Sequence, residues 1–103
     1  MDDAETTLVT MRFEAADPER LIGVLSKYVV LSRQQPGCRN MDLCGSVAVP
    51  DRFVIIQKWE TPEAQQAHFN SEEMTDMARS CEGLLAGPPE IDLLVGLSAH
   101  DLN

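Results

Sequence analysis

Hydrophobic and polar positions alternate strictly from Thr7 to Phe13, with Val9, Met11 and Phe13 on one side and Thr10 and Arg12 on the other. Alternation of this kind marks a half-buried strand. The period then changes. Asp17-Pro18 supplies a capping carboxylate and a proline for the first helical position. Beyond it Leu21, Val24, Leu25, Tyr28 and Leu31 or Ser32 recur at helical spacing, which predicts a helix to about Gln34, ended by Pro36-Gly37. A second alternating stretch follows from Cys38 to Val49, with Met41, Leu43 and Val47 facing one way and Asn40, Asp42, Cys44 and Ser46 the other. Pro50-Asp51 reads as a turn. Phe53 to Trp59 begins apolar on both faces, as a central strand does.

Thr61-Pro62 repeats the cap-and-proline device and starts a short helix that ends near Asn70. Ser71-Glu72-Glu73 caps another, placing two acids at its positive dipole end, with Met74, Met77, Ala78 and Cys81 as its stripe. Gly83 and Gly87-Pro88-Pro89 close the helical part, and Ile91, Leu93, Val95 and Leu97 form a last strand. The order β-α-β-β-α-α-β is a split β-α-β arrangement. It predicts an α+β, ferredoxin-like fold, an antiparallel four-stranded sheet with its helices on one face. The other face would carry Thr10, Lys58 and Asp42, but also Val54, Ile56 and Leu94 or its neighbours. A half-apolar outer sheet invites a second copy of the chain.

The length of 103 residues suits one domain, expected over 1–103 with a core at about 7–97. A net charge of −9 argues against nucleic acid and against anionic membrane as partners. No apolar run approaches the roughly 20 residues that a bilayer requires. The acidic start, Met1-Asp2-Asp3-Ala4-Glu5, lacks the layout of a secretory signal. Three cysteines, Cys38, Cys44 and Cys81, make neither a CxxC pair nor an even set. They read as small core hydrophobes in a reducing, cytoplasmic setting, without disulfide or zinc.

The search for chemistry by motif is mostly negative. There is no HExxH, no G-x-S-x-G, no phosphate-cradling loop and no dinucleotide fingerprint. Two histidines, His68 and His100, are too few to suggest a metal site, and His100 in the tail reads as solvated. Trp59, the only tryptophan, shares strand parity with Phe53, Ile55 and Gln57. It either anchors the helix layer or forms a flat wall for a planar ligand. His68 lies four residues after Ala64 and beside Ala67. It is either a satisfied half-buried histidine or a group that exchanges protons near neutral pH. Arg79 borders the methionine stripe and is either a surface arginine or a stabiliser of an enolate or phenolate oxygen. Tyr28 and the methionines divide the same way, between core filler and pocket lining. Glu72, Glu73 and Asp76 read as a solvated face.

Four short stretches together resemble the antibiotic biosynthesis monooxygenase (ABM) domain family. They are Pro36-Gly37-Cys38, Trp59-Glu60, Ala67-His68-Phe69 followed by Ser71, and Leu85-Ala86-Gly87-Pro88-Pro89. The resemblance spans about Thr7 to Leu97. It implies a dimeric α+β barrel in which two subunits join their sheets, with a pocket between sheet and helices. Some members oxidise anthrone- or quinol-type aromatics with molecular oxygen and no cofactor, because the deprotonated substrate itself reduces oxygen. The protein then excludes water, orients the ring and stabilises the anion.

In the anthrone-oxidising members an Asn precedes the Trp by four residues, a Tyr follows it by six and an Arg by twenty. Trp59 and Arg79 match that pattern, while Ile55 and Gln65 stand in place of the Asn and the Tyr. In the haem-degrading members a His on the last helix ligates iron, and Ala78 stands at that position. The resemblance therefore implies a cofactor-independent monooxygenase acting on a small phenolic, anthrone- or quinol-type compound. His68, Arg79 and Trp59 would be its catalytic residues. Trp59, Tyr28, Met11, Phe69, Met74 and Met77 would line the substrate, and no metal or cofactor would be bound. A non-catalytic dimeric ligand-binding protein, or an isomerase or cyclase on an enolisable substrate, are the alternatives.

Overall fold

The structure, a computed structural model, describes residues 7–98. His100 and the acidic N-terminal stretch Met1 to Glu5 lie outside the described residues. Seven elements follow in the expected order: β1 (Thr7–Glu14), α1 (Pro18–Ser32), β2 (Cys38–Gly45), β3 (Arg52–Trp59), α2 (Pro62–Phe69), α3 (Glu72–Ser80) and β4 (Glu90–Val95). The four strands form one antiparallel sheet in the order β2-β3-β1-β4. This is the α+β, ferredoxin-like architecture that the residue pattern predicts.

Each helix starts at the residue its sequence marks. Asp17 accepts from the Arg20 N–H at 3.3 Å, Thr61 from Ala64 at 3.0 Å and Ser71 from Met74 at 3.2 Å. Each cap satisfies a backbone donor that the helix itself leaves unpaired. Gly37, in the α1–β2 connection, has φ of +82°, and a Cβ there would come 2.5 Å from the Ala64 Cβ. A glycine is thus required both by backbone geometry and by the close approach of α2.

Strand register assigns the two faces. Thr7, Val9, Met11 and Phe13 of β1 pair with Trp59, Gln57, Ile55 and Phe53 of β3 on the helix side. There Met11, Phe13, Leu21, Leu25, Met41, Ile55 and Trp59 are shut off from solvent. Leu8, Val54, Ile56 and Leu94 share the opposite face, where Leu8 and Val54 are half-buried and Ile56 and Leu94 exposed. At one end of that face Arg12 pairs with Glu90 at 2.8 Å and Arg52 with Glu14 at 2.8 Å.

Four expectations change. β2 ends at Gly45, and Val47 is fully exposed, because Ser46 to Pro50 turn the chain away from the sheet. β4 ends at Val95, leaving Leu97 exposed; Ile91, Leu93 and Val95 face the helix side, yet none is buried within this chain. Ala78 lies on the exposed side of α3, whereas Met77 and Cys81 are buried and Met74 half-buried. Of the cysteines only Cys81 is a buried hydrophobe; Cys38 is half-buried and Cys44 exposed on the outer sheet face. At the end of α1 the spacing resolves to Ser32, which is buried, while Leu31 is exposed.

Candidate functional site

Three elements converge on one buried polar cluster. Tyr28 enters from the inward stripe of α1, His68 from α2, and Gln57 and Trp59 from alternate positions of β3. The Tyr28 hydroxyl oxygen lies 2.6 Å from His68 Nε2. Gln57 Nε2 donates to the same hydroxyl at 3.1 Å, and Trp59 Nε1 donates to Gln57 Oε1 at 2.8 Å. The His68 ring stacks on the Trp59 indole with centroids 4.7 Å apart. The sulfurs of Met74 and Met11 lie 3.6 and 3.9 Å from the Tyr28 oxygen. Trp59 is fully buried beneath His68 and does not line the groove between α1 and α3, so in this chain it anchors the helix layer to the sheet.

The site was set there by polar residues on a helix that buries little else. The two buried residues of α2, Gln65 and His68, are both polar. A helix normally turns apolar side chains inward, so burial of these two has a cost that their partners must offset. For His68 the offset is incomplete: Nε2 meets Tyr28, but Nδ1 is buried without a partner.

Burial also sets the protonation states. It pushes the Tyr28 phenol up to about 12, with the Gln57 hydrogen bond pulling weakly the other way. It pushes the His68 imidazole down, against the opposing charge of Glu73. Both groups are neutral at pH 7, the state in which a phenol can donate and an imidazole can accept.

A groove of about 400 Å³ runs between α1 and α3 and reaches Tyr28. Its apolar lining is Val24, Leu31 and Met77; Arg20 and Lys27 stand on the α1 side, Glu73 and Asp76 on the α3 side. Gly23 faces the groove from mid-helix, where a Cβ would meet nothing within 4 Å. Among the described residues no group of three or more His, Cys, Asp or Glu could hold a metal ion.

Of the residues singled out in the sequence, Trp59, His68, Tyr28, Met11 and Met74 meet in this cluster, and Met77 lies beside it in the groove. Phe69 and Arg79 do not. Phe69 is exposed at the end of α2, and the Arg79 side chain is 71% exposed, 3.7 Å from Asp76 on the outside of α3. Sequence reasoning missed Gln57. The available signal was its parity with Trp59: a polar residue in phase with Phe53, Ile55 and Trp59 has to be buried.

The comparisons with known proteins agree with this fold. The model of the family described as antibiotic biosynthesis monooxygenase, ABM, matches residues 6–80. Among solved structures, PA3566 from Pseudomonas aeruginosa is similar over 95% of this chain and 100% of its own, with 26% identity and a TM-score of 0.83. Rv0793 from Mycobacterium tuberculosis is 23% identical over 91% of this chain and 97% of its own, with a TM-score of 0.82. SnoaB, a cofactor-independent oxygenase from Streptomyces nogalater, is 17% identical over 92% of this chain and 96% of its own, with a TM-score of 0.81. No curated protein sequence matches at a significant level. With the family model covering more than half of its length, the chain belongs to the antibiotic biosynthesis monooxygenase (ABM) family.

Proposed function

We propose that the chain is a cofactor-independent monooxygenase that oxidises a small phenolic, anthrone- or quinol-type compound with molecular oxygen. One observation carries the reading: a buried, neutral Tyr28–His68 pair, 2.6 Å apart, with its phenol on the wall of the α1–α3 groove. Family membership supports it, as does the fold shared with SnoaB.

In this reading the substrate ring lies in the groove against Val24 and Met77. Its acidic proton passes to the Tyr28 oxygen while the Tyr28 proton passes to His68 Nε2. The resulting imidazolium holds one proton, and the substrate anion is electron-rich enough to reduce oxygen. For an anthrone-type CH₂ group, one oxygen atom enters the product carbonyl and the other leaves as water with both hydrogens. The substrate carbon supplies all four electrons, so no flavin, haem or metal takes part. Trp59 and the sulfurs of Met11 and Met74 hold the pair in place and dry. The working unit is a homodimer joined through the outer sheet face, where Ile56 and Leu94 are exposed.

A second reading is favoured by the depth of His68, only 3% exposed and closed off from the groove behind Tyr28. That arrangement suits a ligand-binding protein whose pair only recognises a hydroxyl. Oxygen uptake over a panel of quinols and anthrones separates the two: uptake with product formation supports the oxygenase, and tight binding without turnover supports the binding protein. Turnover that continues without oxygen instead marks an isomerase or cyclase using the same base.

A further inference from the structure

We propose that Gln57 is a positioning residue that fixes His68 as the Nδ1–H tautomer, through a hydrogen-bond chain that starts at Trp59. The direction of the chain follows from what each group is able to do. An indole nitrogen only donates. The 2.8 Å contact from Trp59 Nε1 therefore identifies the facing Gln57 atom as the carbonyl oxygen, which turns the Gln57 amide nitrogen toward Tyr28. That nitrogen also only donates, here to the Tyr28 oxygen at 3.1 Å and toward the Met11 sulfur at 3.1 Å. With its oxygen already accepting, the Tyr28 hydroxyl proton turns to its best remaining acceptor.

Two kinds of acceptor lie within hydrogen-bonding geometry: the sulfurs of Met74 and Met11 at 3.6 and 3.9 Å, and His68 Nε2 at 2.6 Å. The Ser32 hydroxyl also acts on Tyr28, but its buried oxygen completes no hydrogen bond. A thioether is a weak acceptor. A separation of 2.6 Å is also shorter than the usual range for an N–H donor to oxygen and falls within that for an O–H donor. Nε2 is thus the acceptor, and the ring proton resides on Nδ1. That nitrogen is one of two buried side-chain atoms without a partner among the described residues, the other being Ser32 Oγ.

The inference rests on the proposed function for its catalytic meaning. With Nε2 bare and facing Tyr28, every proton that reaches His68 comes through the Tyr28 oxygen. Its test is independent of any substrate. The ¹⁵N NMR pattern of the His68 ring, recorded on the intact protein at pH 8, reports which nitrogen carries the proton. The expected wild-type result is a single Nδ1–H form. An Nε2–H form, or comparable amounts of both, overturns the proposal.

Gln57→Met, apolar and of similar volume, removes the donor to Tyr28 and frees its oxygen to accept from His68. A shift toward Nε2–H is expected; an unchanged Nδ1–H form overturns the role of Gln57. Should Gln57→Met not fold, Trp59→Phe removes the N–H that orients the amide and is expected to give a mixture, with an unchanged spectrum again counting against the chain. Where turnover is found, Gln57→Met should lower kcat with KM little changed. Absence of turnover would overturn the oxygenase and leave the tautomer result standing.

Discussion

Tyr28 and His68 are 40 residues apart in the chain, yet the phenol oxygen and imidazole Nε2 lie 2.6 Å apart in the interior. The contact joins the first helix to the second across the sheet face, and it does so with two groups that both lose hydration on burial. Apolar side chains would fill the same space at lower cost. A polar pair retained in such a place, beside a groove, is where proton transfer is to be sought.

Tyr28→Phe keeps the ring and removes the hydroxyl. Turnover should fall by about 10²- to 10⁴-fold, the usual contribution of a positioned proton-transfer group. Stability should fall by about 1–3 kcal/mol, since the Gln57 amide and His68 Nε2 lose a partner. Chemical denaturation and turnover per folded molecule check both.

His68→Ala should cost turnover similarly, but stability as well. The helical preference for alanine alone suggests little change. Burial overrides it: the imidazole is 3% exposed and stacked on Trp59, so truncation leaves a cavity at a cost of about 2–4 kcal/mol. Arg79→Ala, on an exposed side chain, should stay within about 0.5 kcal/mol of wild type.

Gly23→Ala separates stability from function. A Cβ at this helical position meets nothing, so the variant should gain about 0.5–1 kcal/mol from helix propensity. The same methyl enters the α1–α3 groove, and larger aromatic substrates should lose affinity first. A raised Tm with a raised KM is the expected pair of results.

Stability should have a plateau bounded by the buried imidazole on the acid side and by the buried phenol and thiols on the alkaline side. The His68 pKa is lowered in the folded state from its ordinary 6.5, so stability is complete above about pH 6.5 and declines as pH falls through the lower folded value. The Tyr28 pKa is raised from 10.0 to about 12, so its contribution is complete below about pH 10 and is lost as pH rises toward 12. Burial also pushes the Cys81 and Cys38 thiols up from 9.0, so the alkaline decline begins above about pH 9. Unfolding measured across pH should show a smaller alkaline decline in Tyr28→Phe, the part due to the Cys81 and Cys38 thiols remaining.

Much of this was readable from the chain. The caps Asp17, Thr61 and Ser71 mark three helix starts, and strand alternation gives the faces of β1 and β3, because local hydrogen bonds and a period of two are properties of short segments. Val47 and Leu97 continue the alternation but lie beyond the strand ends, because alternation does not say where pairing stops. The site was half legible. Trp59 and His68 stand out by type, but their meeting with Tyr28 depends on how α1 and α2 cross the sheet. Arg79 lies away from the cluster for a related reason: it stands two positions from both Met77 and Cys81, which take the inward places, and so points to the opposite side of α3.

The outer sheet face predicts association. Sedimentation at micromolar concentration should report a dimer, and Ile56→Glu should yield monomers by placing a charge among Val54, Leu8 and Leu94. A wild-type monomer would remove the barrel from the account.

The oxidation itself is tested most directly by oxygen uptake of freshly purified protein, first checked for visible absorbance and bound metal, over a panel of anthrones and quinols. The account predicts uptake in step with product formation, by protein carrying no stoichiometric chromophore or metal. It also predicts a fall of about 10²- to 10⁴-fold in Tyr28→Phe. Uptake that survives Tyr28→Phe undiminished, or no uptake with any member of the panel, would contradict it.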